Sequence, residues 1–146
     1  MIALLQRVTT ARVTIAGDVV AAIDRGLLVF IGVEPDDREP QAERLLQRLL
    51  GYRVFADADG RMNRSVVDVD GGLLLVPQFT LAADTSKGMR PGFSTAAPPE
   101  RGAQLFDYLV VRAERAYAHV DSGRFGADMQ VTLTNDGPVT FWLKAS

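Results

Sequence analysis

From Leu27 to Val33 the chain reads Leu-Leu-Val-Phe-Ile-Gly-Val, with no polar residue to mark a wet face. A strand with one solvated side alternates apolar and polar positions, so an unbroken β-rich run belongs to a strand covered on both faces. No other stretch constrains the fold as much, because a central strand needs packing layers above and below its sheet. Leu73–Val76 makes the same demand, and the next residue is Pro77, which cannot donate to a ladder. The longest apolar run, Gly26 to Val33, falls well short of the roughly 20 residues that span a bilayer. Arg7 and Arg12 interrupt the apolar opening before a signal-peptide core can form. The expectation is a soluble, cytoplasmic protein that makes no membrane contact.

Periodicity supplies the covering layers. Residues 2–16 read as a long strand, Gly17-Asp18 as a turn and Val19–Ile23 as its partner strand. After Pro35, either Asp36 or Asp37 can cap a helix in which Ala42, Leu45, Leu46, Leu49 and Leu50 share one face. A second helix starts at Pro98-Pro99-Glu100 and lines Leu105, Phe106, Leu109, Val110, Ala113 and Tyr117 along one side. Both stripes read as core. Asp57-Ala58-Asp59-Gly60 has the acidic spacing that opens a calcium loop but lacks the later ligands, so it reads as a solvated turn. Near the end, Val131–Thr134 and Val139–Leu143 flank a turn cluster containing Gly137-Pro138, which reads locally as two strands joined by a tight connection. With 146 residues, 47% of them hydrophobic, and no repeat or linker, the pattern is one α/β domain, residues 1–146, of mixed strands backed by two helices.

Composition narrows the chemistry. There is no cysteine, which excludes disulfides, thiolate nucleophiles and cysteine-bound zinc. His119 is the only histidine, so a two-histidine metal site cannot be built within one subunit and a Ser-His-Asp triad would have to pass through it. The net charge of −2 gives no global basic field, so any contact with RNA is local, and none with DNA is expected. Four segments compete for function: residues 77–81, the Gly/Pro/Ser/Thr-rich loop at 84–93, the loop at 123–129 and the tip at 135–140. Each also has a plain structural reading. Thr80 can be a strand hydroxyl, Lys87 and Arg90 solvated charges, Phe125 and Met129 core plugs, and Gly137-Pro138 a turn.

Taken together, Pro77-Gln78-Phe79-Thr80-Leu81, Gly88-Met89-Arg90-Pro91, Ala96-Ala97-Pro98-Pro99, Gly123-Arg124-Phe125-Gly126-Ala127-Asp128-Met129 and Asn135-Asp136-Gly137-Pro138-Val139-Thr140 resemble the signature segments of the D-aminoacyl-tRNA deacylases. They occur in the family's order and spacing. Leu4-Leu5-Gln6-Arg7-Val8 and Met62-Asn63 with Ser65 extend the likeness over nearly the whole chain. The resemblance implies a barrel-like, layered fold and a homodimeric hydrolase, free of cofactor and metal. Such an enzyme cuts the ester between a D-amino acid, or glycine, and the terminal adenosine of tRNA, and so proofreads chirality in translation. It implies that Gln78, Phe79 and Thr80 are catalytic and that Pro77, Phe125, Met129 and Ala96 line the substrate pocket. The Gly137-Pro138 tip, cis in the family, would enter the partner subunit's pocket and reject L-amino acids. Lys87, Arg90 and Arg124 are the candidate tRNA contacts.

The chain departs from the family's pattern at Pro77, where serine is usual, and at Met89 and Gly92, where arginine and serine are usual. Proline offers neither hydroxyl nor N–H at that position. With Thr80 the only motif hydroxyl in the pocket segment, the expected mechanism is one of positioning. An aminoacyl ester is already activated, the neighbouring ribose 2′-hydroxyl can assist water, and backbone N–H groups near Phe79 and Thr80 can meet the developing oxyanion. A non-catalytic module that holds a tRNA 3′ end is the rival reading. A general esterase ranks below both, since no Gly-x-Ser-x-Gly elbow is present.

Overall fold

The computed structural model describes residues Met1–Ser146. Its strands are β1 (Ile2–Ile15), β2 (Asp18–Ile23), β3 (Gly26–Gly32), β4 (Phe55–Ala56), β5 (Met62–Arg64), β6 (Gly72–Pro77), β7 (Val120–Ser122) and β8 (Gln130–Lys144). Two helices, α1 (Glu39–Gly51) and α2 (Pro99–Ala116), and a 3₁₀ turn at Phe79–Ala82 complete the order.

The two unbroken apolar runs serve two different cores. Leu27, Val29 and Ile31 of β3 and Leu73 and Leu75 of β6 pack with Leu45, Leu49, Leu105, Phe106 and Leu109 of the helices. The intervening residues, Leu28, Leu74 and Val76, pack with Val8, Ala11, Val13 and Ala21 on the opposite face. Successive strand residues point to opposite faces, so a strand between two cores has no position to give to a polar residue. Removing one such side chain leaves a void the neighbours fill only partly. Leu74→Ala, at a fully buried site, is expected to cost about 2–5 kcal/mol, read as a lower denaturation midpoint with an unchanged slope.

β1 is the spine. One edge pairs antiparallel with β3 over Ile2–Val8 and then with β2 over Ala11–Ile15, while β8 follows the other edge from Ile2 to Thr14. β3, β6 and β7 run parallel, in that order. Parallel neighbours need long crossovers, which α1 with the β4–β5 pair, and α2, provide. The Ala22 N–H donates to the Asp121 carboxylate at 3.0 Å, linking β2 to the end of β7 and leaving a nearly closed barrel with two helices outside it. Neither helix is long and apolar enough to cross a membrane.

Two sequence expectations need correction. Neither Asp36 nor Asp37 caps α1; its N-cap is Arg38, whose N–H donates to Gln41 Oε1 at 2.8 Å. Asp37 is buried instead, accepting from the Met1 amino group at 2.6 Å and from the Glu34 N–H at 2.7 Å. Those stronger, charge-assisted partners hold the carboxylate away from the helix end. The final segment is also not a hairpin. Val131–Thr134 and Val139–Leu143 lie in line within β8, and both pair with β1. Gln6 pairs with Thr140 and Val8 with Asn135, so residues 136–139 stand opposite Arg7 alone. The turn residues form a wide bulge on one strand, and the Gly137-Pro138 peptide in it is cis. The Asp57–Gly60 turn is as expected: the Asp57 carboxylate accepts from the Asp59 N–H, the Arg61 N–H and the Asn63 amide, and no helices flank it.

Candidate active site

A cleft opens beyond the carboxyl ends of the parallel strands, where α/β sheets commonly place ligands. β6 ends at Pro77 opposite Ile31; the Gln78 N–H still reaches the Ile31 carbonyl at 2.7 Å, and the chain then winds into the 3₁₀ turn. The cleft encloses about 790 Å³. Pro77, Gln78 and Phe79 form one wall, Phe93, Ser94 and Ala96 a second, and Phe125 and Met129 a third, over Ile31 and Phe106. The Ala97 N–H donates to the Val33 carbonyl at 2.9 Å, and the Thr95 hydroxyl to the Ala82 carbonyl at 2.7 Å, which ties the second wall to the first. Buried Gly123 lets the third wall close: a Cβ there would stand 2.8 Å from Met129 Sδ. At the mouth the Phe79 and Phe93 rings lie 5.4 Å apart, tilted by 47°, and both are about half exposed.

Polar groups in the cleft are few. Of its lining side chains only Asp128 is ionisable, and it lies at the exposed rim. His119 is elsewhere, its Nε2 2.9 Å from Asp70 Oδ1. Thr80 is exposed and is not part of the lining; its hydroxyl accepts from the Gln78 side-chain amide. The backbone offers more. The first hydrogen bond of the 3₁₀ turn runs from the Leu81 N–H to the Gln78 carbonyl at 3.2 Å, so the preceding N–H groups, of Phe79 and Thr80, have no partner within the turn.

The other sequence-derived candidates lie outside the lining. Lys87 and Arg90 ride on the loop at 84–92, whose ends are clasped by two hydrogen bonds between Asp84 and Gly92 at 2.8 and 2.9 Å. The Ser86 hydroxyl and N–H at that base hold the Asp84 carboxyl below its ordinary range. Arg124 is exposed just before Phe125. Gly137 and Pro138 protrude from β8, fixed by Arg7: its Nε donates to the Asp136 carbonyl at 3.0 Å and its Nη1 to the Val54 carbonyl at 2.7 Å. Sequence reasoning assigned no part to Arg7, Phe93 or Ser94. A charged residue in the half-buried first part of β1 was the available signal for Arg7.

This barrel, with its cleft at the ends of β3 and β6, is a fold found among solved structures. It superposes on a protein described as c-Myc DNA unwinding element binding protein with a TM-score of 0.95, at 37% identity over 100% of this chain and 99% of that one. A probable eukaryotic D-amino acid tRNA deacylase shares the fold with a TM-score of 0.86 at 17% identity, covering 97% of each chain. The sequence narrows this class. Residues 4–144 match the family described as D-Tyr-tRNA(Tyr) deacylase. Proteins named D-aminoacyl-tRNA deacylase from Pseudomonas fluorescens and Pseudomonas putida are 65% and 67% identical over 141 residues, 97% of each chain. One from Nitrosococcus oceani is 63% identical over 144 residues, covering 99% of this chain and 93% of its own. The chain belongs to the D-aminoacyl-tRNA deacylase family.

Proposed function

We propose that this chain, acting as one domain and as a cytoplasmic homodimer, hydrolyses the ester joining a D-amino acid or glycine to the terminal adenosine of tRNA. The observation that carries the reading is an apolar cleft with no side-chain nucleophile activated by a base, beside a 3₁₀ turn whose first two N–H groups have no partner within the turn. Water adds to the ester carbonyl, the bond to the ribose oxygen breaks, and that oxygen leaves as a hydroxyl. The ribose 2′-hydroxyl assists the water, while the N–H groups of Phe79 and Thr80 receive the charge that grows on the carbonyl oxygen. Gln78 orients the turn through its own N–H and through Thr80. Pro77, Phe125, Met129 and Ala96 enclose the aminoacyl group, and Lys87, Arg90 and Arg124 meet the RNA.

The tip serves a second copy. Val131 lines the chain's own cleft, and Gly137 stands in the bulge beyond Asn135, which is itself four residues farther along the strand, roughly 13 Å away at about 3.3 Å per residue. Gly137-Pro138 therefore acts in the partner subunit's cleft, where backbone occupies the volume that an L side chain needs. Glycine has no side chain to exclude, so its ester is cut as well.

Ester loss from D-Tyr-, L-Tyr- and glycyl-tRNA, measured side by side, tests the reading: the first and third decay and the second persists. The likeness to a protein named for DNA binding supports a second reading, retention of nucleic acid without cleavage, and unchanged esters would favour it. The positioning mechanism has its own test. Pro77→Ser and Asp128→Asn are each expected to change the single-turnover rate by less than about tenfold, or ~1.4 kcal/mol. A loss beyond about a thousandfold in Asp128→Asn would make that carboxylate the general base.

A further inference from the structure

We propose that the loop at 84–92 is an arm that grips the unpaired nucleotides preceding the terminal adenosine, with Met89 against a base and Lys87 and Arg90 on phosphates. This rests on the deacylase reading above and concerns how the RNA leaves the cleft. The arm is a built element. Asp84 and Gly92 exchange both backbone hydrogen bonds, the Ser86 N–H donates to Asp84 Oδ1 at 2.9 Å, and Gly88, at φ +68°, turns the chain back. Nothing in that frame covers Met89, which is 100% exposed at the far end.

A single exposed methionine carries no message by itself. Its setting does. Residues 85–91 hold two cations and no acid in a chain whose net charge is −2. Neither Lys87 nor Arg90 has a carboxylate within salt-bridge distance, so both charges are open to a phosphate. The residue that follows the clasp is Phe93, which lines the cleft mouth and packs on Phe79. With the strand leaving the cleft over this rim, its next phosphates and bases come to the arm. Cations on phosphates with a soft apolar surface on a base is the arrangement that holds single strands without reading them. The methionine thioether is polarisable and packs well on aromatic faces.

The test compares one D-amino acid esterified to adenosine alone, to a short oligonucleotide ending in the same adenosine, and to tRNA. Met89→Ala is expected to lower kcat/KM on the oligonucleotide and tRNA esters by about threefold to tenfold while leaving the adenosine ester unchanged. In the double variant Lys87→Ala/Arg90→Ala, the log–log salt dependence on the two longer esters should flatten by about 1.4, the value for two phosphates on a single strand. Equal losses on all three esters, or no loss on any, would overturn the proposal. Should the wild-type protein cleave none of them, the deacylase reading fails, and the arm is judged by anisotropy of the labelled oligonucleotide. Weaker binding by the variants then supports it, and unaltered binding overturns it.

Discussion

Replacing Gly137 with alanine is expected to lower the preference for D- over L-aminoacyl-tRNA by at least about 100-fold, chiefly through new cleavage of the L-ester. Gly137 has φ +138°, a region that side chains with a Cβ rarely enter. A methyl group there would stand 2.7 Å from Val139 Cγ2, 3.0 Å from the Val139 nitrogen and 3.2 Å from Arg7 Nη2. The backbone contact, with the Val139 nitrogen, cannot yield without moving the tip. Arg7→Met should shift selectivity the same way without straining Gly137, because it removes the bonds to the Asp136 and Val54 carbonyls together. As the positioning residue, Arg7 should alter the D/L ratio far more than the KM for the D-ester. If either variant keeps the wild-type oligomeric state in sedimentation, cuts D-Tyr-tRNA at the wild-type rate and still refuses L-Tyr-tRNA, the tip has no part in selection.

The second large effect should come from a single backbone hydrogen. Phe79→Pro removes the N–H at the first position of the 3₁₀ turn, where no intrahelical bond is lost and proline's φ is acceptable. Gln78 before it, at φ −142° and ψ 83°, lies outside the α region that proline disfavours in the residue preceding it. Phe79→Ala serves as the control, since it removes the ring and its contact with Phe93 but keeps the donor. Relative to Phe79→Ala, Phe79→Pro is expected to lose a further 10²–10³-fold in single-turnover rate, roughly 2.7–4 kcal/mol, the usual worth of one oxyanion donor. Matching rates in the two variants would mean that the oxyanion is met elsewhere.

These residues were not equally legible in the sequence. Leu27–Val33 and Leu73–Val76 announced their two covered faces because burial on both sides leaves a local trace in every residue. The helices were equally plain, through Leu45, Leu49, Leu105 and Leu109. The cleft was not visible in periodicity: Pro77, Phe125 and Met129 come from three separate stretches, and only their joint resemblance to one family brought them together. The tip at Asp136–Val139 was misread as a hairpin because a turn cluster between alternating runs looks the same whether the runs pair with each other or with a third strand. That strand, β1, is more than a hundred residues away, and its pairing is set by tertiary contacts. Arg7 was missed for the same reason, since its acceptors on Val54 and Asp136 lie far along the chain. Asp37 misled in the opposite direction: a good local cap was drawn off by a partner at the other end of the segment.

The bulge in β8 has a bearing on solubility as well. β8 pairs with β1 alone, so its outer edge presents unsatisfied N–H and C=O groups over a 15-residue strand that also displays Trp142. An uninterrupted edge of that length and character is a template for open-ended strand addition, the route to fibrils. Residues 136–139 break it into two short pieces, Gln130–Asn135 and Thr140–Lys144, that no straight strand can follow in register. Only a surface shaped around the protrusion can approach that edge, which favours a closed pair over a growing ribbon.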